Sequence, residues 1–431
     1  MNSNKSHIKA KLNLTEWPSK AVKDIATIVA GGTPSTKISE YWNGDIPWIT
    51  PKDLSIQRHK YICKGLRNIT SDGLNKSSAK IIPSNSVILS TRAPVGYVAI
   101  SKRNITTNQG CHSLIPNNDL DTEFLYYLVL NNVEYLKSQS NGSTFGELSA
   151  KVLSELQFNL PTLKEQKAIA KILSDLDSKI ELNEKMNRTL EAIAQAIFKH
   201  WFIDFEFPNE EGKPYKSSGG EMVDSELGKI PKGWMVSNIG KELTTVLGGT
   251  PSTNKKDYWN GGNIPWINSG KINEFRIINP SAYITPEALK NSATKMMPRG
   301  TTVLAITGAT LGKVSRIELN MCANQSVIGI IENQLLPSEF VYFWVKSNID
   351  YLISNQTGGA QQHINKENVN ELRILIPIKE IMNKYVRMIK VMFDRISLSS
   401  FEEDNLSKIR DALLPKLMTG KIRVPLEDEH E

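Results

Sequence analysis

At 431 residues the chain is too long for one ordinary domain, and with 40% apolar residues it can build real cores, so a disordered linker protein is excluded. A formal net charge of +7 is compatible with a polyanionic partner but does not specify one. Three widely separated cysteines (Cys63, Cys111, Cys322) with no CxxC spacing argue against a disulfide framework or a structural zinc site, and fit a reducing cytoplasm. No apolar h-region opens the sequence and no apolar run of about 18 residues occurs, so neither a signal peptide nor a membrane span is expected.

In chain order, Trp17 precedes GGTPSTKISEYWNGDIPWI, which begins at Gly31. Short β-rich runs follow, SVILST and GYVAIS, and then the helical stretch EFLYYLVLNNVEYL. Pro161 announces a long helix from about Leu163 to Phe202. Its apolar side steps through Ile169, Leu173, Leu176, Ile180, Leu190, Ala194, Ile197 and Trp201, with Asn183 and Asn187 in the middle of the stripe. A polar stretch rich in Gly, Pro and Lys, from Phe207, reads as an exposed connector without a core.

The order then repeats. Trp234 precedes GGTPSTNKKDYWNGGNIPWI at Gly248, followed by the runs TTVLAIT and SVIGII and the stretch EFVYFWVKSNIDYL. Asn108-Gln109 answers to Asn324-Gln325, and Gly142 to Gly358. The separation holds at about 216–218 residues, so whole halves are duplicated, which is not the period of a solenoid. Pro377 opens a second long helix, from about Ile381 to Leu414, with Ile389, Met392, Ile396, Leu406 and Leu413 on its stripe and Ser399 and Glu403 at its polar middle.

Two related helices with heptad stripes suit an antiparallel coiled coil about a pseudo-two-fold axis, their polar middles meeting; the competing reading has each helix packing only on its own half. Helices of about 35–40 residues would reach roughly 55–60 Å and act as a spacer. The expected divisions are 1–160, a first globular domain; 161–206, a long helix; 207–233, the connector; 234–376, a second globular domain; 377–420, the second long helix; and 421–431, a tail. The fold class is α/β (α+β).

Catalytic signatures are missing: no P-loop, HExxH, EF-hand, GxSxG or Asn-Pro-Pro-aromatic motif occurs, and the six histidines are scattered. What remains resembles a binding surface. Each GGTPST turn offers small side chains, amides and hydroxyls (Thr33, Ser35, Thr36; Thr250, Ser252, Thr253) suited to phosphate and sugar, with Lys37, Lys255 and Lys256 beside them. The plainer alternative is a conformational turn. Tyr41-Trp42, Trp48, Tyr258-Trp259 and Trp266 read as core anchors before base-stacking platforms.

After IPWI the copies diverge, with Lys52, Arg58 and Lys60 in one and Lys271 and Arg276 in the other; each could equally be a solvated charge. Arg92 gives way to Gly308 between Thr307 and Lys313, and Thr144-Phe145 to Ala360-Gln361, followed by Gln362 and His363. Diverged polar loops on a duplicated scaffold are what two readers of different half-sites need, since Arg pairs with guanine and Asn or Gln with adenine. With the paired Asn108-Gln109 and Asn324-Gln325, these residues form the candidate DNA-binding set.

Taken together, the paired GGTPS…YW…IPW blocks, the paired Asn-Gln, the IPKGW before the second half, AQAIFKHWFIDF, and LLPKLMTGKIRV near the C-terminus resemble the specificity subunits of type I restriction-modification systems. The resemblance covers nearly the whole chain. It implies two target-recognition domains joined by helical regions, each reading one half of a bipartite double-stranded DNA target. It also implies two modification (methyltransferase) subunits that use S-adenosylmethionine, restriction (motor-nuclease) subunits that use ATP and Mg, and no cofactor, metal or catalytic residue in this chain. The alternatives are a two-domain protein-binding scaffold or adaptor with no DNA readout, and a fused methyltransferase-specificity protein, against which length and the missing motif argue.

Overall fold

The computed structural model describes residues 17–425, apart from 58, 93, 141–145 and 355–362. Contacts divide the chain into two units, Met1–Leu182 with Asp404–Glu431, and Asn183–Glu403. Each unit therefore holds one globular half and part of each long helix.

In the first unit, Ser19–Ala21 pairs antiparallel with Gln157–Asn159, closing the globular part just before the first long helix. Between them lies a five-stranded sheet in the order Ala26–Ala30, Cys111–Pro116, Val87–Ser90, Val98–Ser101, Tyr61–Ile62, whose last pair is parallel. Val87–Ser90 is buried at every position, which suits its unbroken apolar run better than an alternating one would. A three-stranded sheet runs Arg67–Ile69, Trp42–Ile49, Thr106–Thr107. The helix Thr122–Asn131 is started by Asp121, whose carboxylate accepts from the Phe124 amide. Its Phe124, Leu125, Tyr127 and Leu128 share one core with Ile169 and Leu173 of the first long helix and Leu417 and Met418 of the second.

The second unit repeats this plan. Met235–Asn238 closes against Arg373–Ile376. A sheet runs Thr244–Leu247, Val327–Ile331, Thr302–Ala305, Val314–Arg316, and a smaller one Ala282–Ile284, Ile264–Ile267, Cys322–Ala323. Trp48 pairs with Thr106 and Trp266 with Cys322 in the same parallel register, so the duplication read in sequence is a duplication of topology.

The long helices, Leu163–Phe202 and Lys379–Met418, have 40 residues each. They are antiparallel in both units. In the first, Arg423 and Arg410 pair with Glu165 (2.6 Å) and Asp177 (2.7 Å). In the second, Asn183 and Asn187 donate to Glu402 and Glu403, both at 2.8 Å, and Phe202 packs edge-on against Tyr385 at 4.8 Å. The polar middles thus meet as expected. The seam itself departs from the predicted stripe: Leu176 and Leu190 are only half-buried, and the neighbouring Asp177 and Glu191 take the inner positions. Ion pairs make burial of those carboxylates tolerable, which an apolar stripe cannot reveal.

The stretch 207–233 is likewise not a coreless connector. Phe207 is buried, stacked on Tyr215 (4.6 Å) and Trp234 (5.0 Å), and Ile230 joins the same core from the hairpin Met222–Ser225/Gly228–Pro231. Its apolar residues follow neither a helical nor a strand period, and the polar composition around them hid their role.

At the polar middle, the Glu403 carboxyl is pushed up from 4.5 to about 7, by partial burial first and then by Glu184 and Glu402, with Arg188 opposing. Between those two pH values the folded chain holds a proton that the unfolded chain has lost, so stability falls as pH rises across that window and levels off above it. Glu403→Gln removes this contribution. Thermal melts of variant and native chain should therefore diverge in the variant's favour between pH 5 and 8; an offset independent of pH would contradict the assignment.

Candidate nucleic-acid interface

Each half builds the same cluster from two turns pressed together. Gly31 and Gly248 lie so close to the Asn-Gln turn that a Cβ would fall 2.0 Å from the Asn108 carbonyl oxygen, or 2.1 Å from that of Asn324. The Gly32 and Gly249 amides donate to Thr107 and Ala323, both at 2.8 Å. Close approach, not unusual backbone angles, is what requires glycine here.

The tryptophans hold this arrangement from behind. Trp48 Nε1 donates to the Gly32 carbonyl (2.9 Å) and Trp266 Nε1 to that of Gly249 (3.1 Å); Trp42 and Trp259 do the same for Ser35 (3.1 Å) and Ser252 (3.2 Å). The indoles pack edge to face within each pair, 5.0 and 5.2 Å apart. Trp42, Trp48, Tyr258 and Trp266 are buried, as core anchors should be, while Tyr41 and Trp259 are half-buried.

Ser35, Thr36 and Lys37 remain exposed on one half, and Ser252, Thr253, Lys255 and Lys256 on the other. The Thr33 hydroxyl donates to the Gln109 side-chain oxygen, and that of Thr250 to Gln325 (2.5 Å). With its oxygen engaged, each exposed glutamine presents an NH2 group as donor. Asn108 and Asn324 spend their own oxygens on the amides of Gly110 (3.0 Å) and Ser326 (3.2 Å), so they are Asx-turn formers.

The flanking candidates fall beside these turns. Pro51, at the start of the helix Pro51–Ile56, abuts Gly110 and brings the exposed Lys52 alongside. Arg92 follows Thr91, whose amide donates to the Gly110 carbonyl, and it pairs with Glu147 at 2.6 Å on an open surface, an interaction worth little that a phosphate could replace. In the second half the Ile306 amide donates to Ser326 and its carbonyl accepts from Ile364, which brings Thr307 and the exposed His363 to the same rim. Lys313 is exposed on the turn before Val314–Arg316, and Lys271 pairs with Glu274 at 2.7 Å. Arg58, Gln361 and Gln362, with the contrasted 144–145 and 360, lie outside the described residues.

Two cations leave the set. Lys60 is buried with Nζ 2.6 Å from Glu123, which also accepts from the Tyr61 hydroxyl. Burial alone would raise the Glu123 carboxyl, but these hydrogen bonds outweigh it and hold it below 4.5. Arg276 has a side chain with 0% exposure and lies 3.0 Å from Glu191 and 3.6 Å from Glu318. Burial also acts to raise Glu191, and Arg276 and Lys346 together overcome it and lower its pKa. A guanidinium sealed in this way cannot reach a phosphate. Its place in a polar, charged sequence had suggested otherwise.

Sequence reasoning missed Arg67, Lys64 and Arg103, three exposed cations of the first half that the repeat does not carry. Among the described residues, no group of three or more His, Cys, Asp or Glu is placed to hold a metal ion, and no helix is long and apolar enough to cross a membrane. The three cysteines are free, with Cys111 and Cys322 buried.

The family model described as "Type I restriction modification DNA specificity domain" matches residues 15–192 and again 231–407. The chain is 36% identical over 417 residues to the MjaIX specificity subunit of Methanocaldococcus jannaschii, covering 95% of this chain and 94% of that one. It is 26% identical to the HindI specificity subunit of Haemophilus influenzae, covering 86% and 89%. Its fold is similar to the crystal structure of a type I restriction-modification S subunit from M. genitalium, with a TM-score of 0.59, 16% identity, and 95% and 98% of the two chains covered.

Glu191→Ala should destabilise the second unit by about 3–5 kcal/mol, because it strips Arg276 of its nearest carboxylate while leaving the guanidinium buried. Lys52→Ala, at an exposed position, should stay within about 0.5 kcal/mol. Urea unfolding of the two variants compares them; a Glu191→Ala loss below about 1 kcal/mol would show that the pair is not integral to the fold.

Proposed function

The chain belongs to the type I restriction-modification DNA specificity family, and from that premise we propose that each globular half reads one part of a bipartite, asymmetric DNA target. The observation that carries this reading is the twice-built turn cluster. Its frame is common to both halves, Gly31 with Asn108 and Gly248 with Asn324, while the polar tips around it differ, Arg92 against Gly308 and Lys52 against Gly270. A shared frame suits contacts with the phosphate backbone, and diverged tips suit different bases. The family match favours DNA readout over a protein-binding adaptor.

In this reading the chain supplies recognition and positioning, and the reactions belong to its partners. Two modification subunits would methylate adenine with S-adenosylmethionine, and restriction subunits would use ATP and Mg. The isolated chain would neither methylate nor cleave. The two 40-residue helices set the distance between the two readers, since a helix of that length spans about 60 Å.

Exchanging residues 17–160 for those of a relative with another target tests the division of labour, with the methylated motif of the host as readout. One half of the motif should change and the other should persist. If both halves changed together, the separate-reader account would be wrong.

A further inference from the structure

The first unit contains a cationic hollow, and the repeat carries no cation at the positions answering to its three. Strand Trp42–Ile49 bulges against Arg67–Ile69: the pairing slips between Trp42 and Ile46, and Asn43 sits at φ 64°, in the left-handed region. Bulges and strained residues of this kind re-aim side chains and gather at ligand sites. Here the bulge borders a hollow of about 340 Å³ lined by Asn43, Asp45, Lys64, Arg67, Asn68 and Arg103, among others. Three cations and one carboxylate face it, and none of the three cations is ion-paired to a carboxylate among the described residues.

Arg67 is fixed in place. Its guanidinium lies 3.5 Å from the centroid of Trp42 and 5.9 Å from that of Trp48, the two indoles that carry the GGTPST turn. A stacked guanidinium keeps its N–H fork free in its own plane and loses less freedom on binding than an unsupported side chain. On the matching rung of the second half, Ala282 faces Trp266 where Arg67 faces Trp48.

We propose that this hollow is a backbone-phosphate cradle for the DNA at the first half-site, with Arg67 as its fixed anchor and Lys64 and Arg103 as flanking cations. The proposal rests on the DNA reading above. Successive backbone phosphates, one negative charge each, satisfy the three convergent cations and the asparagine amides together, whereas one base edge would leave at least two of the charges uncompensated. The cradle makes the two readers unequal: the first grips the backbone through three cations that the repeat does not carry.

The test is binding of the full-length chain to a duplex carrying the motif methylated in its host, and to one with the first half-site scrambled, at salt concentrations from about 50 to 200 mM. Every phosphate that the chain no longer neutralises lowers the slope of log affinity against log salt by about 0.9. Combined Lys64→Ala, Arg67→Ala and Arg103→Ala changes should lower the slope by about 2–3 and weaken both duplexes by similar factors. Arg67→Lys should retain the native slope. Should the loss of Arg67 unfold the chain, the exposed pair Lys64→Ala with Arg103→Ala carries the test, with a slope lower by about 2. An unchanged slope would overturn the cradle, as would a loss confined to the cognate duplex with relaxed preference at one base. A native chain that does not distinguish the duplexes would overturn the DNA reading, and the cradle with it.

Discussion

A 40-residue helix with one buried seam needs a partner along its length, and here each long helix meets two, the other long helix and a globular half. Phe198 shows the double demand. It packs against Phe202 of its own helix, Tyr385 of the other, and Phe340, Phe343 and Trp344 of the globular part, all within 6.4 Å. Burying one such ring contributes roughly 1.5–3 kcal/mol. A change in helix pairing would therefore disturb the globular core as well, which ties the placement of each turn cluster to the helices.

Apolar packing alone would allow neighbouring registers. The polar residues of the seam discriminate among them, because Asn183 and Asn187 find acceptors on Glu402 and Glu403 only in one alignment, and Asp177 needs Arg410 opposite. The cost appears at the same place, in the raised Glu403 carboxyl and in Asn183 and Asn187 side-chain oxygens with no hydrogen-bond partner among the described residues. Stability is given up at the centre for a defined alignment of the two helices.

What the sequence revealed follows from repetition. The glycine pair, the tryptophans and the Asn-Gln turn occur twice, so their shared frame was legible, as was the antiparallel pairing of helices whose polar middles sit alike. Features present once, or built from polar residues, were not. Lys60 and Arg276 lie in charged stretches that look solvent-facing, and only the carboxylates brought to them by distant parts of the chain, Glu123 and Glu191, explain their burial. Asp177 and Glu191 hid in the seam for the same reason. Arg67 went unnoticed because its partner is a tryptophan face reached through a bulge, and no local spacing encodes that stacking.

The central claim, that helix length sets the distance between the two half-sites, is open to a direct measurement. One heptad inserted into each long helix at its polar middle keeps the seam in register and lengthens each by about 10 Å. With base pairs rising about 3.4 Å, the unread gap in the methylated motif should widen by about three base pairs. A folded insertion variant whose complex with the modification subunits methylates with an unchanged gap would contradict the claim and return the helices to packing on their own halves alone.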